Sequence, residues 1–452
     1  MNSVFKLSSS RWALLAAFGF VAAGVAPAAA ADLGGDCCAD LEERVAELEA
    51  TTARKGNRKV SLTISGWVNE SVMWWDDGTE SNAYVGTNKL EQSRVRFVGE
   101  AQIIPGWSAG YTLELGILGA NSSGSSGWSQ NSADGTGNNA VSVRKSSWFI
   151  KSKELGKVTV GQDGTAMYHV LDDADGANTR NFSDAQAAAV YQGNFALRHN
   201  GAFLGGSPNA QSSSALTWAG SNAIMQGIDN GTVGQDGRRN VVKYDSPTIA
   251  GFTLTASWGE DDDWGMSLNY TNVWGDFKVL AKVGYGENSD ENIGCSTKTA
   301  PTDCQLFGAA ATVMHVPTGL YVYGGYGQNH DQRVADLGAP GTEATSSMYF
   351  IQGGIEQKFI PLGKTTIFGE YRHDDGGSKN NITIANVGAG NGTLGSTDLN
   401  FYAAGVVQHV DPAEMDLYVM YRHADGDIAN TAGVSTSLDA FDAVIAGALM
   451  KF

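Results

Sequence analysis

Three features of the sequence predict an all-β chain closed into a 16-stranded antiparallel transmembrane β-barrel. From Val60 to the C-terminus, apolar and polar residues alternate with a period of two, as in strands with one apolar and one polar face. Short turns alternate with long polar loops along the same region. Aromatic residues gather where strands end, as at the two water–lipid boundaries of a membrane barrel.

The first 31 residues stand apart. Lys6 and Arg11 precede an apolar run from Trp12 to Val25, and Ala26-Pro27-Ala28-Ala29-Ala30-Ala31 follows. A basic start, a short apolar core and small residues at the end make a secretory signal peptide. No other run reaches the roughly 20 apolar residues that a spanning helix needs, which excludes a helical membrane bundle. Removing the leader takes the formal charge from −18 to −20, because it carries Lys6, Arg11 and no acid. Nucleic acid is thereby a poor partner, since phosphate binding needs a basic surface.

Residues 32–59 form a separate periplasmic segment. Asp40 with Glu43 resembles a capping box, and Leu41, Val45 and Leu48 fall at heptad spacing within a short helix from Asp40 to Ala50. Such a helix either zips to its copies on neighbouring chains or is a solvated linker. Thr51 to Lys59 is a polar, basic hinge.

The barrel, residues 60–452, reads as strands near 60–75, 90–104, 107–120, 141–153, 156–163, 238–246, 250–260, 264–274, 276–287, 305–315, 319–329, 348–360, 363–374, 398–410, 413–424 and 438–452. Val60, Leu62, Ile64, Val68, Val72 and Trp74 share one face of the first strand; Phe252, Leu254, Ala256 and Trp258 alternate with Thr253, Thr255 and Ser257 in the seventh. Turns at Pro105-Gly106, Ser246-Pro247, Gly275, Pro317-Thr318, Pro361-Leu362 and Asp411-Pro412 alternate with loops at 76–89, 121–140, 164–237, 288–304, 330–347, 375–397 and 425–437. Only the connection near Asp261 is short on the loop side. Trp74, Trp75, Trp258 and Trp264 mark the loop end; Trp107, Trp274, Phe277 and Phe359 mark the turn end. An even strand count puts both termini on the turn side, and the first and last strands must pair, because lipid tolerates no open sheet edge. A soluble sandwich would have shorter strands and no such alternation of connections.

With lipid against the apolar face, the polar face lines the lumen. Its Ser, Thr, Gln, Arg, Lys and Glu residues cannot form a dry core, and a barrel of this size leaves a water-filled channel unless something obstructs it. Diffusion of small hydrophilic solutes and ions follows. Cys295 and Cys304 flank a polar loop of an exported protein, and a disulfide between them is the natural reading. Cys37-Cys38 leaves an interchain bond, a vicinal bond and free thiols open.

The end of the chain, Val444-Ile445-Ala446-Gly447-Ala448-Leu449-Met450-Lys451-Phe452, looks like the terminal strand by which outer-membrane barrels are recognised for insertion. The order of leader, Asp32-Leu33-Gly34-Gly35, short acidic helix and Val60-Ser61-Leu62-Thr63-Ile64-Ser65-Gly66 resembles the alphaproteobacterial general porins. The likeness covers essentially the whole mature chain. It implies the cell outer membrane, a homotrimer, and a third loop folded into the pore, here the connection 164–237. It also implies contacts with outer-membrane lipid and lipopolysaccharide. The acidic N-terminus is similar to members tethered there to peptidoglycan, so a structural role in the envelope is the second expectation, and a solute-selective channel a third.

Asp163, Asp172, Asp173, Asp175 and Asp184 are the acids assigned to the constriction; Arg94, Arg96, Lys145, Arg239 and Lys243 are the bases assigned to the wall. Opposed charges across a narrow passage make a transverse field that favours polar solutes. The mature charge of −20 points to a weak preference for cations. No catalytic residue, cofactor or metal is expected. Gly363-Lys364-Thr365 lacks the upstream glycine of a phosphate loop, Lys358 standing in its place. Asp172-Asp173-Ala174-Asp175-Gly176 lacks the spacing and bidentate glutamate of a calcium loop. Tyr371-Arg372-His373 and Tyr421-Arg422-His423 recur because they occupy equivalent barrel positions. A lipase would need a nucleophile elbow that the sequence lacks.

Overall fold

The computed structural model describes residues 60–88, 90–118, 128–130, 140–182, 195–204, 216–218, 237–259, 263–289, 303–337, 341–376, 383–384 and 392–452. The segments expected as leader and N-terminal helix, with Cys37 and Cys38, lie outside them.

The fold is a closed 16-stranded antiparallel β-barrel with almost no helix. Its spanning strands are β1 (Ser61–Asp76), β2 (Arg94–Ile104), β3 (Trp107–Leu118), β4 (Ala140–Ser152), β5 (Gly156–Gly164), β6 (Arg238–Asp245), β7 (Phe252–Gly259), β8 (Trp264–Trp274), β9 (Phe277–Asn288), β10 (Cys304–His315), β11 (Leu320–Asp331), β12 (Thr345–Ile360), β13 (Gly363–Gly376), β14 (Gly392–Val410), β15 (Met415–Asn430) and β16 (Phe441–Lys451). Consecutive strands pair, and β1 closes on β16 in register from Trp67↔Lys451 to Asp76↔Asp442. Gly66 and Phe452 exchange backbone hydrogen bonds of 3.0 and 3.1 Å, which seals the seam at the turn end. Backbone groups in lipid must all be satisfied internally, and closure achieves this.

Lipid contact explains the outward residues. Trp258, Trp264, Trp107, Trp274, Phe277 and Phe359 are exposed at the two ends of the belt, and Leu254, Leu268, Val313, Val322, Ile351 and Ile367 are exposed between them. Trp75 departs from its expected place in the girdle. It is 1% exposed and points into the lumen, since neighbours on a strand face opposite ways and Trp74 faces out. At the Pro105-Gly106 turn, Gly106 has φ +84°, a conformation that a side chain would resist.

Three strand boundaries differ from the sequence reading by four residues or more. A short strand, Ser81–Thr87, extends the sheet beside β1, and β2 starts only at Arg94. Strands β14 and β15 run further than expected and pair with each other as far as Leu394↔Asn430. Beyond the lipid no apolar alternation is demanded, so the extension leaves no periodic signal.

The interior also differs. Inward positions Met314, Tyr321, Tyr323, Phe350, Phe368, Phe401, Met420, Ile445 and Leu449 are buried and apolar, where a polar face with no dry core was expected. They form one cluster with Met167, Val170, Leu171, Phe182, Phe195 and Trp218, all from the β5–β6 connection. The described stretches of this connection fold inside and cover this part of the wall.

Candidate functional site

The inward connection begins at Thr165. Its first described stretch, Thr165–Phe182, contains one 3-10 turn, Asp172–Ala174. Lumen-facing side chains from several strands fix it. Ser257 accepts from the Ala166 N–H at 2.8 Å, and Tyr323 donates to the Leu171 carbonyl at 2.9 Å. Thr312 donates to the Ala174 carbonyl at 2.5 Å, and Thr179 donates to Gln352 Oε1 at 2.9 Å. Lys282 donates to the Tyr168 carbonyl at 3.1 Å. Its apolar underside lies on glycines: a Cβ at Gly284 would sit 2.8 Å from Met167 Sδ and 2.9 Å from Val170 Cγ2. The loop is therefore held by packing and hydrogen bonds together.

Among the acids assigned to the constriction, Asp172 and Asp173 lie in this loop and carry ion pairs. Arg180 approaches Asp172 at 3.0 Å and Asp173 at 2.8 Å, and Lys282 of β9 reaches Asp173 at 2.6 Å. His169 Nδ1 is 2.7 Å from Asp172. Burial holds the His169 imidazole well below its usual value, and the nearby Arg180 adds to this. Burial pushes the Asp172 carboxyl up, partly offset by Arg180 and Lys282. Burial acts on Asp173 in the same sense, but Lys282 and Arg180 together hold it below the ordinary range.

Asp175 has a different task. Its carboxylate accepts backbone N–H bonds from Ala177 at 2.8 Å, Thr179 at 2.7 Å and Arg180 at 2.6 Å, and the Thr179 hydroxyl oxygen lies 3.1 Å away. It shapes the loop. Burial raises its pKa, with those hydrogen bonds pulling the other way. Asp163 is on the wall, in β5, where Lys145 is 2.8 Å and Lys243 3.6 Å away. Asp184 lies outside the described residues.

The wall bases are grouped by β2, β3, β4 and β6. Arg96 donates from Nε to Glu114 at 2.6 Å, Arg144 donates at 2.8 Å, and Arg94 is 3.6 Å away, so three guanidinium groups share one fully buried carboxylate. Arg94 also pairs with Glu91, a residue of the stretch that leaves the sheet before β2. Burial alone would raise Glu91, but Arg94 and Arg180 outweigh it and hold the carboxyl low. Arg239 stands opposite Asp163 in the β5–β6 register and pairs with Asp263 at 2.5 Å. Cys304 is disulfide-bonded; Cys295 lies outside the described residues.

These groups border two cavities. One, of about 620 Å³, brings Arg94, Arg96 and Lys145 of the wall to the same opening as Asp172, Asp173 and Arg180 of the loop. The other, of about 640 Å³, is lined by Lys151, Lys153, Lys157, Lys243 and Lys282 against Asp173 and Asp245. Tyr168 and Asp173 border both. A charged, roomy site of this kind accommodates hydrated ions and polar solutes.

Glu114, Arg144, Glu91 and His169 were not assigned from sequence. Glu114 shares the inward face of β3 with Thr112, and that alternation carries its signal. Arg144 could not be read so simply. The register shifts between Glu114↔Lys145 and Leu115↔Val143, a bulge that lets consecutive residues Arg144 and Lys145 both serve the lumen.

The sequence profile of Gram-negative porins matches residues 13–441. Among solved structures, the fold is similar to the anion-selective porin from Comamonas acidovorans, with TM-score 0.53 and 15% identity over 87% of this chain and 100% of that one. It is also similar to OmpT, an outer membrane protein of Vibrio cholerae, with TM-score 0.50 and 14% identity over 88% and 99% of the two chains. Salmonella typhi OmpF in complex with daunomycin gives 0.50 and 12% over 87% and 98%. No curated protein matches.

Proposed function

The chain belongs to the Gram-negative porin family, and from that premise we propose how its channel selects. It is a channel of the cell outer membrane for passive diffusion, and family and fold point to transport rather than catalysis. The observation that carries the finer reading is the loop Thr165–Phe182, hydrogen-bonded inside a closed barrel beside a charged cavity. It acts as the constriction, admitting small hydrophilic solutes and excluding large or apolar ones.

The net charge of −20 argued for cations; the placement of the charges argues for a weak preference for anions. At physiological ionic strength a charge acts over about 8 Å, so the distant acids are screened from the passage. At the passage, three arginines share Glu114, and Lys145 and Lys243 share Asp163. Lys278 reaches a backbone carbonyl, that of Gly176, at 3.3 Å. The first cavity is lined by six bases and seven acids and the second by five lysines and two aspartates, so only the two together are cationic in balance. Zero-current potentials across a KCl gradient in planar bilayers test the sign, and potentials of the cation-selective sign would refute it. Swelling of porin-loaded liposomes in sugars of increasing size tests the filter.

Assembly as a homotrimer is supported by the resemblance to general porins. The disulfide of Cys304 is assigned to Cys295. Tethering to peptidoglycan rests on the acidic segment 32–59, beyond the described residues.

A further inference from the structure

Two further stretches of the β5–β6 connection, 195–204 and 216–218, fold together at the loop end of the lumen. Arg198–His199 pairs with Ala202–Phe203 in a tight hairpin, and the Leu197 and Trp218 N–H groups donate to the Leu216 and Phe195 carbonyls at 2.8 and 3.1 Å. Gln130 accepts from the Ala196 N–H at 2.9 Å and donates to the Ala196 carbonyl at 3.0 Å. The hairpin carries one buried charge. Arg198 is 4% exposed, lies 3.7 Å over the Phe203 ring, and donates to Asp77 at 2.7 Å, Glu80 at 2.8 Å and the Gly201 carbonyl at 2.8 Å. Asp77 and Glu80 follow the end of β1, so the guanidinium ties the hairpin to that rim. Asp439, just before β16, is the other anchor: it accepts from the Asn200 and Gly201 N–H groups at 2.9 and 2.7 Å.

Apolar side chains of this unit cover the inward wall beside it. Phe195 packs on Trp75 and Phe441 at ring separations of 4.8 and 4.7 Å, and Trp218 on Phe401 at 6.0 Å. Met73, Trp75, Leu399, Phe401, Ala424 and Phe441 are 1% exposed or less, whereas inward positions at an open mouth would be wetted. They belong to β1, β14, β15 and β16, four of the sixteen strands. The stretch Thr165–Phe182 meets the same wall deeper. Phe182 packs on Tyr418, which stands opposite Gly447, six residues along β16 from Phe441 and so about 20 Å away. We propose that the unit is a second sieve, positioned at the loop-side mouth by Arg198, which sets the largest solute able to enter before the constriction acts. The inference rests on the proposed filtering by this connection and moves part of it to a separate level, held by different residues.

The test uses the purified full-length protein in planar bilayers, with polyethylene glycols of increasing mass added to one side at a time. A polymer lowers single-channel conductance only if it enters the mouth on its own side, so each mouth has its own cut-off. Arg198→Ala removes one anchor, and Asp439→Ala removes the other should Arg198→Ala not fold. Each should raise the loop-side cut-off, leave the turn-side cut-off as in wild type, and increase conductance by up to about a quarter, the fraction of the wall uncovered. Arg198→Lys, which keeps the charge, should lie between wild type and Arg198→Ala. A loop-side cut-off that stays at the wild-type value, while hydrogen exchange across 195–204 quickens and shows the hairpin released, would overturn the sieve. Unchanged exchange in Arg198→Ala would overturn the role given to Arg198. Gly284→Val, which strikes the stretch Thr165–Phe182 alone, separates the two levels: if it leaves sugar permeation unchanged, the constriction reading fails while the mouth sieve stands.

Discussion

Arg96→Gln is the sharpest probe of the constriction. The side chain is 38% exposed and borders the mixed-charge cavity of about 620 Å³, while Glu114 would keep Arg144 at 2.8 Å and Arg94 at 3.6 Å. The substitution therefore removes one positive charge from the passage without leaving a buried carboxylate alone. An ion passing about 5 Å from that charge in water feels about 0.8 kcal/mol, and at 10 Å about 0.4 kcal/mol. Screening at physiological salt reduces these to roughly 0.5 and 0.1 kcal/mol. Loss of the charge helps cations and hinders anions by the same amount, so the anion-to-cation permeability ratio should fall about 1.4- to fivefold. Reversal potentials across a tenfold KCl gradient read this ratio directly. The shift should fade near 1 M salt, where the screening length is about 3 Å. A ratio that stays constant, or rises, would show that Arg96 does not face the permeating ions.

Asp175→Ala leaves the N–H groups of Ala177, Thr179 and Arg180 without their acceptor, at about 1 kcal/mol or more each. Hydrogen exchange across 175–180 should quicken by about 100-fold while the barrel strands stay protected. Gly284→Val forces a side chain into Met167 and Val170, at about 1–3 kcal/mol of overpacking. Single-channel current should become noisier, with the barrel still folded by electrophoretic mobility. Acidification below the usual histidine value near 6.5 should loosen the docked loop, because the released His169 binds a proton that the buried imidazole refuses. Glu91 and Asp173, held low, lose their stabilising effect on further acidification, whereas Asp172 and Asp175, raised by burial, oppose that loss. Current noise against pH should show a step near pH 6 in wild type that His169→Asn removes. Finally, alkylation with and without reductant should label Cys295 and Cys304 only after reduction, and labelling before it would refute the assigned pairing.

The barrel was legible because lipid imposes a local rule. A strand with hydrocarbon on one side must alternate, so β7 reads directly from Phe252, Leu254 and Trp258 against Thr253, Thr255 and Ser257. Turns such as Pro105-Gly106 then mark where it reverses. The same alternation sends Trp75 inward, because its neighbour Trp74 faces lipid, so it does not belong to the girdle. Nothing local distinguished Asp175, which builds the loop, from Asp173, which lines the opening. Both are acids in one polar stretch; the partners of Asp175 are all chain neighbours, whereas Asp173 also takes Lys282, 109 residues away.

By itself the sequence determined the number of strands, the face each turns to lipid and the even count that brings Ser61 and Lys451 to one end. Those properties follow from periodicity and from the need to leave no sheet edge in hydrocarbon. Only the tertiary structure decided what the lumen holds: an apolar loop base seated on glycines, Arg144 brought inward by a bulge, and carboxylates already matched to bases. Interior contacts join residues far apart in the chain, and no repeating pattern is required of groups that meet one another rather than a uniform solvent.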